Sequence, residues 1–291
     1  MKNPVPRTAA IHDLSGFGRA SLTVVIPILS TMGVQVCPLP TAVLSTHTGG
    51  FEDFSFTDLT AAMEAIVTHW QQLDVDFDAI YSGFLGSPQQ EAIVAGFIDT
   101  FSRPDQLVVV DPVMGDNGKP YKTMTPEMIR GMRSLIAKAD VITPNFTEAA
   151  FLLDEPVPPT ISPERIKAWM LRLADKGPRK VIITSLPVPE KEKTSAVMAY
   201  DRDDGRFWKI DCHYIPAYYP GTGDAFASVI VGSLLQGDSL PIALDRAVQF
   251  VSTAIRTTFG YPYPARNGVI LERVLPSLNA PVNASSYEIV E

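Results

Sequence analysis

Leu107, Val108, Val109 and Val110 stand together with no polar residue among them and stop at Asp111-Pro112. Four contiguous apolar residues, rather than an alternation, mark a strand covered on both faces, which requires a parallel sheet between helical layers. The unit recurs. Short apolar strands are expected at 9–12, 34–39, 79–81, 107–110, 141–142 and 181–183. Helical patterns fall between and around them at 19–32, 58–70, 88–101, 125–137, 148–153 and 162–175. In the second of these Leu59, Met63, Ile66 and Trp70 recur at helical spacing. Thr125-Pro126-Glu127 and Ser162-Pro163-Glu164 supply a cap followed by proline in the first turn. Two longer helices follow at 221–235 and 240–258. The segments 195–200 and 206–212 alternate weakly around Asp203-Asp204-Gly205 and read as a β-hairpin, acting as a lid or an edge strand. The pattern predicts a single α/β domain over 1–291 with a mostly parallel central sheet, helices on both faces and a small β-hairpin. The stretches 156–159 and 186–193 read as surface loops. The tail after about 260, rich in Pro, Asn and Ser, defines no element.

Several function classes are excluded. The formal charge is −8 and no run of Lys or Arg occurs, so there is no basic footprint for nucleic acid. A charge-free stretch from Arg19 to Glu52 is broken by Pro27, Gly33, Pro38 and Pro40, so it reads as a buried helix and strand, not a membrane span. The start of the chain carries Lys2 and Arg7 without the apolar core of a signal peptide. Two isolated cysteines, Cys37 and Cys212, fit reduced thiols and a cytoplasmic protein. His12, His69 and His213 have no partner at metal spacing. Neither GxxxxGK[ST] nor GxGxxG occurs, which argues against a P-loop enzyme and a dinucleotide dehydrogenase.

Ligands of such sheets lie beyond the carboxyl ends of the strands. Asp13, Ser82-Gly83, Asp111, Asn145 and Thr184-Ser185 all fall there. Gly221-Thr222-Gly223-Asp224 precedes a long apolar helix, whose first-turn N–H groups and dipole form an anion site. A carboxylate beside a bound anion makes sense if it takes a proton from a hydroxyl attacking phosphorus; the alternative is a glycine turn with Asp as helix cap. Asp111-Pro112-Val113-Met114-Gly115-Asp116 offers oxygen ligands to Mg²⁺ or a capped turn. In Thr143-Pro144-Asn145-Phe146-Thr147-Glu148, Thr143 and Asn145 can donate to phosphate and Glu148 can face Mg²⁺; the alternative is a helix N-terminus. His47 and Thr48 sit in a polar run where they can meet a small polar ring or simply pack. Tyr218 and Tyr219 can flank a base or close a sheet end.

These three motifs, in this order, resemble the ribokinase-like superfamily and, more narrowly, the vitamin B6 (pyridoxal/pyridoxamine) kinases, over roughly 11–258. The resemblance implies an ATP-dependent kinase acting on the 5′-hydroxymethyl group of pyridoxal, pyridoxamine or pyridoxine. It implies Asp224 as general base and Gly221, Thr222 and Gly223 as the anion hole. Asp111, Asp116, Thr143, Asn145, Thr184 and Ser185 would serve ATP, and Asp111 and Glu148 would serve Mg²⁺ through water. Asp13, Ser15, His47, Thr48, Phe84 and Tyr121 would serve the substrate. It also implies a homodimer and admits a monovalent cation. Where many pyridoxal kinases carry Ser this chain has Asp13, and Asp13-Leu14-Ser15-Gly16 leans toward the hydroxymethylpyrimidine kinases. Phe84 stands for a family Tyr, and Gly50 for an aromatic. A hydroxymethylpyrimidine (phosphate) kinase is therefore the rival activity. A non-catalytic nucleotide- or vitamin-binding protein is the rival class, against which Asp224 speaks because a binder gains nothing from it.

Overall fold

The structure is a computed structural model describing residues 3–187, 194–213, 215–280 and 286–290. Six strands run parallel: β1 (Arg7–Phe17), β2 (Gln35–Thr46), β4 (Ala79–Ser82), β5 (Leu107–Val110), β8 (Val141–Ile142) and β9 (Lys180–Leu186). Antiparallel strands extend both edges: β3 (Phe56–Asp58) on one, and β10 (Thr194–Asp201), β11 (Arg206–His213) and β12 (Tyr287–Ile289) on the other. The order is β12-β11-β10-β9-β8-β5-β4-β1-β2-β3. The hairpin expected from sequence thus joins the main sheet as β10 and β11, and it is not the edge itself because β12 pairs outside β11. The loop expected at 186–193 lies, from 188 on, outside the described residues.

Along each strand successive side chains serve opposite layers. Val108 and Val110 join one core and Val109 the other; Val181 and Ile183 join the first and Ile182 the second. The first layer holds α2 (Thr60–Gln72), α3 (Pro88–Phe101), α4 (Pro126–Leu135), α5 (Phe146–Leu153) and α6 (Pro163–Ala174). The second holds α1 (Leu22–Thr31), α7 (Thr222–Leu235) and α8 (Leu240–Phe259). The tail contributes Val269, Leu271, Val274 and Leu278 to the second layer through short 3-10 turns, and β12 to the sheet. Among the described residues no helix is long and apolar enough to cross a membrane.

Three strands are longer than their apolar runs. β1 continues through Asp13 to Phe17 because pairing with β2 continues, past an irregularity between His12 and Leu14, to Phe17 opposite Thr46. β2 tolerates Pro38 and Pro40 because β3 pairs only from Ala42 to Leu44, leaving the outer edge unpaired where the prolines lack an N–H. β9 runs on through Thr184 and Ser185 to Leu186. A further two-stranded turn, β6 (Gly115–Asp116) with β7 (Lys119–Pro120), carries no periodic signal in the sequence.

One core position carries a carboxyl at a cost. Glu91 on α3 is 6 % exposed and closes on Gly131 of α4. Burial and the charge of Glu127 push its carboxyl from 4.5 up to about 8. The folded state keeps a proton there that the unfolded chain releases, so this group erodes stability as pH climbs from about 4.5 to about 8. Glu91→Gln should therefore raise the thermal midpoint at pH 8 and scarcely at pH 5; a gain that does not grow with pH would contradict this.

Candidate active site

A cleft of about 1040 Å³ opens at the carboxyl ends of the parallel strands. Of the residues expected to serve the base, the nucleotide, the metal or the substrate all line it except Ser15, which is buried beneath with its hydroxyl on Asp13; Ser82 and Gly83, also expected at a strand end, do not line it. Among the described residues no Lys or Arg lines the cleft, and its charge is carboxylate.

The start of α7 forms one end. Gly221 has φ 82°, and an ideal Cβ there would stand 2.1 Å from the Arg19 carbonyl oxygen, so the loop before α1 and the loop before α7 touch only because Gly221 has no side chain. No side chain caps α7, while the Thr222 hydroxyl donates to the Tyr219 carbonyl at 3.0 Å. The uncapped N–H groups and the helix dipole therefore remain for an anion. Asp224, in the first turn, accepts the Ser21 N–H at 2.9 Å. Burial, reinforced by the charge of Asp13 and opposed by that N–H, pushes its carboxyl up to about 7.

Asp13 sits at the β1 irregularity, between His12 and Leu14, and accepts hydrogen bonds from the hydroxyls of Ser21 at 2.5 Å and Ser15 at 2.8 Å. Burial raises its proton affinity, while both hydroxyls and nearby His47 oppose the rise. His47 is held at both nitrogens. Its Nδ1 accepts the Gly49 N–H at 3.1 Å, so Nε2 carries the proton donated to the Arg266 carbonyl 2.7 Å away. Burial lowers its pKa, in keeping with that neutral tautomer. The ring thus presents an edge to the cleft rather than a free nitrogen. Thr48 is exposed at the rim, and Phe84 is half-buried on the wall.

Asp111, just past β5, is 6 % exposed; burial and the charge of Asp224 push its carboxyl up to about 8, with the Thr143 hydroxyl opposing. Glu148 and Asn145 form a capping box on α5: the Asn145 side chain accepts the Glu148 N–H at 3.0 Å, and Glu148 Oε2 accepts the Asn145 N–H at 2.8 Å. Glu148 Oε1 takes the Met114 N–H at 3.0 Å, and Asn145 Nδ2 donates to the Gly115 carbonyl at 2.8 Å. Asn145 is thereby committed to shaping the loop. Burial and Asp111 raise the Glu148 carboxyl well above the usual range. Asp116, half-buried, also has a raised carboxyl, from burial. Tyr121 and Tyr218 stand over this acidic group. Thr184 bridges to Asn145 in parallel fashion, and Ser185 follows with φ 57°.

All the donors here are oxygens, which suits Mg²⁺ rather than a softer metal. Among the described residues no three His, Cys, Asp or Glu converge into a metal cage. Two parts of the site carried no sequence signal. Ser21 fell inside the expected helix 19–32. The apolar wall of Ile215, Val248, Val251 and Ile255 depends on α8 folding back against β11.

A parallel sheet with helical layers on both faces, an uncapped glycine-led helix and a carboxylate at its first turn define a ribokinase-like phosphotransferase that acts on an alcohol group. The phosphomethylpyrimidine kinase family model matches residues 26–265, and the chain belongs to that family, among its pyridoxal kinase members. It is 28 % identical to pyridoxal kinase PdxY of Granulibacter bethesdensis over 244 residues, covering 79 % of this chain and 82 % of the relative. It is also 28 % identical to the hydroxymethylpyrimidine/phosphomethylpyrimidine kinase of Mycobacterium tuberculosis over 266 residues, covering 87 % and 90 %. A crystal structure from Bacteroides thetaiotaomicron, described as a phosphomethylpyrimidine kinase and solved with pyridoxal, is 57 % identical. It superposes with a TM-score of 0.96 over 98 % of this chain and 100 % of that one.

Proposed function

We propose that this chain transfers the γ-phosphoryl group of ATP to the 5′-hydroxymethyl group of pyridoxal, pyridoxamine or pyridoxine. The observation that carries the reading is Asp224: a half-buried carboxylate in the first turn of an uncapped helix, facing the cleft and seated on the Ser21 N–H, with its carboxyl pushed up to about 7. A general base works best with a pKa close to the operating pH. The vitamin is favoured as substrate because a 57 % identical relative was crystallised with pyridoxal.

The ring lies between Asp13, Thr48 and Phe84, over the edge of His47, with its hydroxymethyl group toward Asp224. ATP lies along Asp111, Asp116, Thr143, Thr184 and Ser185, its base against the wall from α8. Asp224 takes the alcohol proton as the oxygen attacks the γ-phosphorus, and the N–H groups of Gly221, Thr222 and Gly223 receive the charge of the moving phosphoryl group. Asp111 and Glu148 would hold Mg²⁺ through water, and the ion would there supply charge neutralisation for the phosphates. Asn145 acts indirectly, by holding the Gly115 loop against α5. The enzyme works in the cytoplasm as a homodimer, so sedimentation should give twice 31.7 kDa.

The rival substrate is hydroxymethylpyrimidine, favoured by the Mycobacterium tuberculosis relative and by Asp13-Leu14-Ser15-Gly16. ADP release measured with the three B6 vitamers and with hydroxymethylpyrimidine decides between them. Faster turnover of pyrimidine than of every vitamer would overturn the assignment. Ligand-induced thermal stabilisation without any ADP would instead indicate a binding protein.

A further inference from the structure

Ser21 stands between β1 and α1 with φ 53° and ψ −132°. That region belongs to glycine, the residue found at the first central position of a type II′ turn. Yet the position holds a serine, 7 % exposed, and both of its hydrogen-bond donors are committed to carboxylates. Its hydroxyl donates to Asp13 Oδ1 at 2.5 Å, and its N–H donates to Asp224 Oδ2 at 2.9 Å. A side chain kept in a strained backbone at a cleft calls for a functional reason. We propose that Ser21 is a positioning residue that ties Asp13 to Asp224, so that occupation of the ring end of the cleft is registered at the base.

The inference rests on the reading of Asp224 as base. A donor on the substrate ring that satisfies Asp13 keeps it ionised and seated on the Ser21 hydroxyl. The same serine then presents its N–H to Asp224 in one orientation. Loss of the hydroxyl strips Asp13 of one of two hydroxyl donors, so its carboxyl holds a proton more readily and presses less negative charge on Asp224. The other groups facing Asp224 are Asp111 beyond β5, Tyr81 on β4 and Tyr218 ahead of α7; those facing Asp13 are Ser15 and His47. None of these changes when Ser21 is replaced.

Ser21→Gly is the test, because glycine keeps the N–H, removes the hydroxyl and adopts this backbone freely. The thermal midpoint should be equal to or above the parent's. kcat/KM for the ring substrate should fall about tenfold, as for one lost hydrogen bond to a charged group. The KM for ATP should stay put, and the acid limb of the rate profile should move to lower pH. Ser21→Ala should repeat those kinetics with a midpoint below that of Ser21→Gly, since alanine retains the strain that glycine relieves. Parent-like kinetics and an unmoved acid limb in Ser21→Gly overturn the bridge, as does a loss of activity that follows a loss of stability. If Asp224→Asn keeps full turnover, the base assignment falls and the bridge with it. An inactive Asp224→Asn beside a normal Ser21→Gly removes the bridge alone.

Discussion

Asp224→Asn is expected to lower kcat by at least about a hundredfold, the usual scale of general-base assistance, while leaving ATP affinity nearly intact. The amide keeps an oxygen for the Ser21 N–H, so the loop geometry survives; what is lost is the ability to accept the alcohol proton. The pH dependence sharpens the expectation. The Asp224 carboxyl is held up to about 7, so the ionised, proton-accepting form accumulates above that pH. Below it, kcat/KM should fall about tenfold per pH unit, and the variant should lose this limb. Stability moves in the other direction. A carboxyl raised from 3.8 to about 7 binds a proton in the folded state that the unfolded chain has released, so it destabilises the fold increasingly as pH rises across that interval. Removing the ionisable group should leave Asp224→Asn at least as stable as the parent at pH 7. A stable, ATP-binding, inactive protein identifies the base. Equal losses of turnover and ATP binding would mean that the carboxylate is a scaffold for the nucleotide pocket.

The parts of the site legible in sequence are those set by local physics. The four apolar residues 107–110 are β5, and the cap of Ser87 with Pro88 opens α3 where the pattern put it. Strand ends are local too, so Asp111 and Asn145 fall at the carboxyl end of the sheet on sequence alone, whereas the arrival of the Asp224 helix beside them depends on the tertiary fold. What stayed hidden depends on partners far along the chain. Asp13, Ser15 and Gly16 read as a loop because they are polar, yet β2 carries them as strand. The role of His47 is fixed by the carbonyl of Arg266, 219 residues away. Ser21 lies 203 residues from the carboxylate it holds. A hydroxyl in a helical pattern gives no hint of such a partner. Asn145 and Glu148 lie between these extremes: Asn followed three residues later by Glu is the spacing of a capping box, a local device. The Asn145 amide is consumed by the backbone at both ends, which is why phosphate donors are better sought at Thr143 and Thr184 than at Asn145.

Gly221→Ala should damage both turnover and stability although it adds only a methyl group. Alanine at φ 82° pays the left-handed penalty of about 1–2 kcal/mol. The larger effect is steric. The new Cβ would stand 2.1 Å from the Arg19 carbonyl oxygen, 3.0 Å from its carbon and 3.2 Å from Ala20 Cα, all backbone atoms that cannot swing aside. The loop before α7 and the loop before α1 must therefore separate. That separation draws the Ser21 N–H off Asp224 and shifts the first-turn N–H groups from the path of the phosphoryl group. Loss of one preorganised donor alone costs about 10²–10³ in rate, so kcat should fall by at least that much. The thermal midpoint should drop by several degrees, the consequence of a loss of about 1–3 kcal/mol. Gly223→Ala is the matched control for stability. Nothing lies within 4 Å of the Cβ it would add, and its backbone is an ordinary helical one, so its midpoint should match or exceed the parent's. The contrast isolates the contact between the two loops from glycine content as such. Parent-like turnover in Gly221→Ala would show that the two loops can part without disturbing the chemistry, and the anion hole would then have to lie elsewhere in the cleft.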